Sequence, residues 1–441
     1  MKNSCSLLWA FTFVTFLSFE VSAKAKNLIY FINDGMGFAQ ITGARVYQGG
    51  SSHKLHLEAL EYTGIVKTYS NTNYVTESAA AATTLASGVK TYDGSIGMSD
   101  PSTEKEGSQK LVNIFNLAKK KGKSVGIIST ARITHATPAA FYAYAKNREE
   151  EELIAEQLLT SNYDLFFGGG REFFLGAEDI DPLSGQKGKR HDKKNLIQEL
   201  KNSLSNIYVE SGSDFKKLEP LSLTKNKKAK KVVGLFNFSH MEFDLARQAA
   251  ADPEPSLSEL VDFAVKYLSQ NKNGYVLLVE AGKIDHAAHD NRAKLVFTEL
   301  LAMDLALSRA FAELKRDTLV VVTADHETGG LALQGYGPAT IKGELLLGNQ
   351  RRVDGTFDEK NNYISWSSGP GADVETKFND KEPAPRQKSL YKAPSAYHTA
   401  VDVMVGASGP CASMFRGFME NSDIPLKISD CLNLNLRSHI K

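Results

Sequence analysis

The stretch Val279–His289, V-E-A-G-K-I-D-H-A-A-H, carries three groups suited to metal chemistry within ten residues. An apolar run, Tyr275–Val279, stops at Glu280, and Asp285 and His289 follow with i, i+4 spacing. On a helix that spacing puts a carboxylate and an imidazole on one face, a ready pair of ligands for a divalent ion. A second apolar run leads through V-V-V-T-A-D-H to Asp325 and His326. A third ends in N-D-G-M-G, where Asp34 sits beside glycines that let backbone approach a ligand closely. His398, in Y-H-T-A-V-D-V, is the next candidate histidine. Together these supply oxygen and nitrogen ligands for two zinc-like ions and one harder ion. Two ions about 4 Å apart can clamp both the attacking and the leaving oxygen of a phosphoryl transfer.

The candidate nucleophile is Ser78, in Y-V-T-E-S-A-A-A-A-T-T-L-A-S-G. The alanines predict a closely packed helix that starts at Ser78 and stops at Gly88. A helix N-terminus is positive, which favours an alkoxide and an incoming phosphate. A plain capping serine is the commoner reason for Ser at such a place. Arg148 offers a guanidinium fork for two phosphate oxygens, although an arginine beside Glu149 and Glu150 is more often a surface ion pair. His135, just past a strand end in R-I-T-H-A-T-P-A-A, suits a role behind the ligands. His53, His56, His191 and His240 have no ligand spacing and read as structural. Glu299 and Asp304 read as the polar face of a helix.

The elements that must position these residues are continuous apolar runs, the mark of strands buried on both faces. They are Asn27–Ile32, Ser124–Ile128, Leu165–Phe167, Val232–Phe236, Tyr275–Val279 and Leu319–Val322. Helical patterns at Leu111–Lys120, Glu149–Leu159, Leu257–Ser269 and Lys294–Leu314 lie between them. The alternation predicts an α/β fold, a three-layer sandwich with a largely parallel central sheet and helices on both faces. Sites in such sheets form beyond the C-terminal strand ends, where these acids fall. The region 333–396, rich in Gly, Asn, Asp and Pro, reads as an inserted excursion that returns near His398.

The chain has 441 residues, 42% hydrophobic and 23% charged, enough for a large core. A net charge of +1 gives no bulk field for nucleic acid or an anionic membrane, and the basic cluster Lys187–Lys194 reads as a solvated loop. Lys2, the apolar run Leu7–Leu17 and Val21-Ser22-Ala23 read as a secretory signal peptide, residues 1–23, with 24–441 as the exported chain. Cleavage after Ala25 fits as well. No later segment is apolar enough to span a membrane. Of three cysteines, Cys411 and Cys431 remain after export. As a disulfide they would close a loop of about 20 residues and stabilise by roughly 3 kcal/mol, and two separate thiols are the alternative.

Seven ordered motifs then resemble the alkaline phosphatase family: D-G-M-G (34–37), T-E-S-A-A-A-A-T-T-L-A-S-G-V-K-T-Y-D-G (76–94), H-A-T-P-A-A (135–140), G-L-F (234–236), V-E-A-G-K-I-D-H-A-A-H (279–289), T-A-D-H-E-T-G-G (323–330) and H-T-A-V-D-V (398–403). The resemblance implies a secreted phosphomonoesterase, periplasmic or extracellular, holding two Zn²⁺ and one Mg²⁺ and acting as a homodimer with a crown-like insertion at about 333–396. It implies Asp285, His289 and His398 as ligands of the first zinc, and Asp34, Asp325 and His326 of the second. Asp34, Thr137 and Glu280 would hold magnesium. Ser78 would become phosphoserine and Arg148 would bind phosphate. His286 becomes a candidate phosphate contact rather than a ligand. Glu77, where the family commonly has Asp, would brace Arg148 through a longer side chain. His135 and His286 match the histidines of the animal members, which implies weaker magnesium retention and a basic pH optimum. Phosphodiesterases, sulfatases and phosphoglycerate mutases share the ligand framework but differ at the nucleophile, and a non-catalytic metal- or phosphate-binding protein would not need Ser78.

Overall fold

All six runs expected to be strands are strands in the computed structural model, which describes residues 24–102, 107–223, 231–314, 317–335, 338–347, 363–373 and 383–440. The leader expected at 1–23 lies outside the described residues. In chain order the strands are β1 (Asn27–Ile32), β2 (Tyr62–Lys67), β3 (Ser124–Arg132), β4 (Leu165–Gly169), β5 (Asn206–Val209), β6 (Lys231–Leu235), β7 (Tyr275–Glu280), β8 (Thr318–Thr323), β9 (Glu327–Thr328), β10 (Ala332–Gln334), β11 (Tyr363–Gly369), β12 (Ser389–Lys392), β13 (His398–Thr399), β14 (Val403–Ser408) and β15 (Gly417–Glu420).

Ten of them form one sheet in the order β15-β2-β14-β8-β1-β7-β3-β4-β6-β5. Within it only β14 runs antiparallel to its neighbours, β8 and β2. Every residue of β1, β7 and β8 is buried, so both faces of the centre are covered. Leu28, Ile29, Phe31 and Ile32 have no exposed surface, and full burial of such side chains contributes roughly 1.5–3 kcal/mol each. β10, β11 and β12 make a separate small sheet within the excursion, and β9 pairs with β13.

The helices follow local chemistry. Asn113 accepts from the Asn116 N–H at 2.8 Å and starts the third helix at Ile114, three residues later than the apolar pattern alone indicates. Ser256 and Glu259 form a capping box ahead of Leu257–Leu268. Cys411 and Cys431 are disulfide-bonded, with Cα atoms 6.0 Å apart. The bond ties the β14–β15 connection to the helix Asp423–Leu432. Leu426 of that helix lies against Gly88, the left-handed stop of the helix that begins at Ser78.

Three polar expectations need correction. Glu299 is buried, not on a solvated face, because its carboxylate accepts the Asp244 N–H. Asp304 is buried because it accepts the His56 and Leu57 N–H groups at 2.9 and 2.8 Å, closing the start of a short helix. Within the basic cluster Arg190 is 1% exposed, gripped by Glu156, Asp192 and the Glu152 and Phe173 carbonyls, while Lys187, Lys189, Lys193 and Lys194 remain at the surface.

Candidate metal centre and nucleophile

Sheet register brings the acids together. Ile32, the last residue of β1, pairs with Glu280 of β7 on one side and Thr323 of β8 on the other. Asp34 and Asp325 each lie two residues beyond that line. Three carboxylates from distant parts of the sequence therefore meet at the ends of three adjacent strands, all buried. Gly35 makes the close approach possible: its φ is +75°, and a Cβ there would lie 2.8 Å from the Asp285 Cα. The Gly35 N–H donates to Asp325 Oδ1 at 3.2 Å. Asp285 and His289 come from the helix Lys283–His289, and their i, i+4 spacing places His289 Nε2 3.1 Å from Asp285 Oδ2. His398 arrives through the β13–β9 bridge, where it pairs with Thr328.

Among the described residues, three groups have ligand atoms mutually within 4.8 Å: Asp34, Asp325 and His326; Asp285, His326 and His398; and Asp34, His135 and Glu280. The first is the expected second-zinc set. The second shares Asp285 and His398 with the expected first-zinc set, and His289 Nε2 is 3.2 Å from His398 Nε2 at the same corner. The third contains Asp34 and Glu280 as expected, but the structure places His135 among the ligand atoms rather than behind them. Thr137 Oγ1 and His135 Nδ1 are both buried without a hydrogen-bond partner.

The electrostatics ask for cations. Burial, together with Asp325, Asp285 and Glu280, raises the Asp34 carboxyl well above the usual range. Burial pushes Glu280 up to about 8, and burial reinforced by Asp285 pushes Asp325 up to about 7. Asp285 differs: burial opposes its charge, but the imidazoles of His289, His398 and His326 outweigh it and hold the carboxyl low. Asp34 Oδ1, Asp325 Oδ2 and Glu280 Oε1 are buried with no hydrogen-bond partner. Two carboxylates about 4 Å apart repel by roughly 4 kcal/mol at an effective dielectric of 20. Orphaned, hard oxygen atoms of this kind fit divalent ions, and the nitrogen-rich corner suits zinc better than magnesium.

Ser78 opens a fully buried ten-residue helix, but it is not the cap. Glu77 is, accepting from Ala79 and Ala80 N–H at 2.9 and 2.7 Å. The commonplace explanation for the serine is therefore gone. Its Oγ lies 3.3 Å from His326 Nε2 and 3.4 Å from Asp34 Oδ2, directly against one acid group. Arg148 is no surface ion pair with its neighbours in sequence. Its Nη1 bonds Glu77 Oε2 at 2.8 Å, and its Nη2 lies 2.8 Å from His135 Nε2. His286 stands with its ring centroid 5.5 Å from that of His135 and 4.3 Å from that of His240.

Several supporting groups had no sequence spacing to reveal them. Thr328 donates to Asp285 Oδ1 at 2.5 Å and lies 3.3 Å from His326 Nδ1. Ser129 donates to Glu280 Oε2, as the β3–β7 register, Ser129 opposite Glu280, dictates. The Ala396 and Thr76 carbonyls fix His289 Nδ1 and His398 Nδ1 at 2.6 and 3.0 Å, which turns both Nε2 atoms toward Asp285. His240, read as structural, stands beside His135 and His286. Thr328 and Thr76 lay within quoted motifs, and their places beside Asp325-His326 and Ser78 were the available signal.

Comparison with known proteins agrees with this geometry. A family profile described as alkaline phosphatase matches residues 25–434. An alkaline phosphatase of Gadus morhua is 32% identical, with 93% of each chain covered. A membrane-bound alkaline phosphatase of Bombyx mori is 33% identical over 93% of this chain and 80% of its own. Among solved structures, the alkaline phosphatase of the Antarctic bacterium TAB5 superposes with a TM-score of 0.72 at 28% identity, covering 93% of this chain and 99% of that one. A variant of that enzyme with an aspartate in place of a histidine was solved with magnesium bound. The fold, the strand-end acids and the match over nearly the whole described chain converge, and the chain belongs to the alkaline phosphatase family of phosphomonoester hydrolases.

Proposed function

We propose that the protein hydrolyses phosphate monoesters through a phosphoserine at Ser78, with two zinc ions and one magnesium ion held by the strand-end groups. The observation that carries this reading is Ser78 Oγ, at the first turn of a buried helix and within 3.4 Å of His326 and Asp34. Asp285, His289 and His398 would hold the first zinc, Asp34, Asp325 and His326 the second, and Asp34, Thr137 and Glu280 the magnesium, with His135 close enough to join them. When bound, such ions supply Lewis-acid stabilisation of the attacking and leaving oxygens and lower the pKa of hydroxyl groups.

The chain's own residues do the rest. Arg148 grips the substrate's phosphoryl oxygens, with Glu77 fixing one side of its guanidinium. The positive end of the Ser78 helix adds to that attraction. Ser78 Oγ forms a bond to phosphorus as the ester oxygen leaves and takes a proton. Water then attacks the phosphoserine and returns the serine with inorganic phosphate. Removing a negative charge beside magnesium, as His135 in place of an aspartate does, supports weaker magnesium retention and a basic pH optimum.

Export follows from the leader expected at 1–23, and among the described residues no helix is long and apolar enough to cross a membrane. The homodimer and the crown role of 333–396 are carried by the family resemblance. Exposed Tyr74, Tyr397 and Phe418 are apolar surface that a second copy could cover. Sedimentation of the purified protein tests the dimer.

The deciding experiment measures turnover of p-nitrophenyl phosphate against its diester and sulfate analogues. It is repeated after chelation and after separate return of zinc and magnesium. The monoester is expected to be strongly preferred, with activity lost on chelation. Full activity in dialysed, metal-free protein would refute the metal assignment.

A further inference from the structure

His240 belongs to no ligand group and makes no contact with Ser78, yet its surroundings are unusually constrained. The loop that carries it is tied on both sides: the Glu172 N–H donates to the Phe238 carbonyl and the Met241 N–H to the Thr130 carbonyl. Both ring nitrogens lie against one residue. Nε2 is 2.6 Å from Arg132 Nη1, and Nδ1 is 3.2 Å from the Arg132 backbone nitrogen. Arg132 is itself held by both carboxylate oxygens of buried Glu151, at 2.9 and 2.6 Å, and Glu151 also accepts from Thr134. Both facing groups are N–H donors and a neutral imidazole accepts at one nitrogen only, so one of the two contacts is a hydrogen bond, and it anchors the ring to the end of β3.

From that anchor it packs edge-on against His286 and His135, with centroids 4.3 and 5.5 Å away and interplanar angles of 69° and 79°. His135 and His286 are 5.5 Å apart at 89°, so three rings wedge one another. His135 Nε2 then meets Arg148 Nη2. A continuous chain of contacts runs Glu151–Arg132–His240–His135–Arg148. Glu77 fixes one arm of the Arg148 fork, and this chain fixes the other.

We propose that His240 is a positioning residue for phosphate recognition, holding the His135 ring so that Arg148 presents its fork in one orientation. The proposal rests on the reading of Arg148 as the phosphate-binding arginine. Removing the wedge leaves space in which His135 can turn, and Arg148 loses one of its two fixings.

The test uses the metal-loaded enzyme and competitive inhibition by inorganic phosphate. For His240→Ala, the phosphate Ki and the KM for p-nitrophenyl phosphate are expected to rise about tenfold, the size of one charge-assisted contact, with kcat changing less than threefold. His240→Phe keeps a ring in the wedge but loses the Arg132 anchor, and should fall between wild type and His240→Ala. If His240→Ala does not fold, His240→Phe alone decides, with at least a twofold rise in Ki required. A Ki within twofold of wild type in a folded variant, or a loss confined to kcat, overturns the proposal. Arg148→Ala is the control: if it leaves Ki unchanged, the parent reading fails, whereas a raised Ki in Arg148→Ala and none at His240 sinks this inference alone.

Discussion

The two walls of the site are built on opposite principles. One wall is Asp34, Glu280, Asp325 and Asp285, whose carboxylates converge, and each of the first three keeps a buried oxygen atom without a hydrogen-bond partner. The other is His135, His240 and His286 with Arg132 and Arg148, where nearly every cation already has an acid of its own: Glu151 for Arg132 and Glu77 for Arg148. Burial drives the two sets of groups apart in acidity. It pushes Glu280 up to about 8 and holds His286 down at about 3, where the nearby Lys283 reinforces it. The first wall is incomplete without cations. The second is internally balanced and keeps guanidinium N–H groups available for an anion. On the function proposed above, a metal ion and a phosphate would each meet the wall whose chemistry suits it, with Ser78 between them.

That contrast can be broken by substitution. Ser78→Ala should abolish turnover by at least about 10³-fold, as loss of a covalent nucleophile does, while metal content measured by elemental analysis stays unchanged. Asp34→Asn strikes the acid shared by two of the ligand groups. It is expected to lower kcat/KM by about 10²–10³-fold and, unlike the serine change, to reduce bound metal in the same elemental analysis. Arg148→Ala acts on the other wall. The phosphate Ki should rise about 10- to 100-fold with metal content intact, and metal loss there would show that the walls are not independent. The smallest effect is expected for Glu77→Asp. The shorter acid still caps the helix but reaches less far toward Arg148, so Ki should rise by about threefold or less and the thermal midpoint should hardly move.

The two walls were also unequally legible in sequence. The acid wall could be read because buried parallel strands are continuous apolar runs, and Asp34, Glu280 and Asp325 fall where those runs stop. The i, i+4 pair of Asp285 and His289 carried its own geometry. The imidazole wall has no such pattern. His135 and His240 come from two unrelated loops and His286 from a helix, and only packing brings them together, so His240 looked merely structural. Within the fold, β2, with its exposed ends and a central glycine, and the glycine-containing β14 and β15 gave no strong apolar run. Their pairing with the core, rather than their own pattern, makes them strands. Glu299 and Asp304 misled because a buried acid on a helix looks like a surface one until its backbone partners are known.

Where the chain leaves for the excursion and where it comes back, β9 and β13 pair through Thr328 with His398 and Glu327 with Thr399, and the Gly329 N–H donates to the Tyr397 carbonyl at 2.9 Å. The two ends are stapled side by side at His398 and next to His326, two of the proposed metal ligands. Such a stem holds His398 in register by backbone pairing, and the excursion it carries is bonded to the core as well, Ser368 and Gln387 to Asn291 and Ala396 to His289, so its length can vary only between those fixed points.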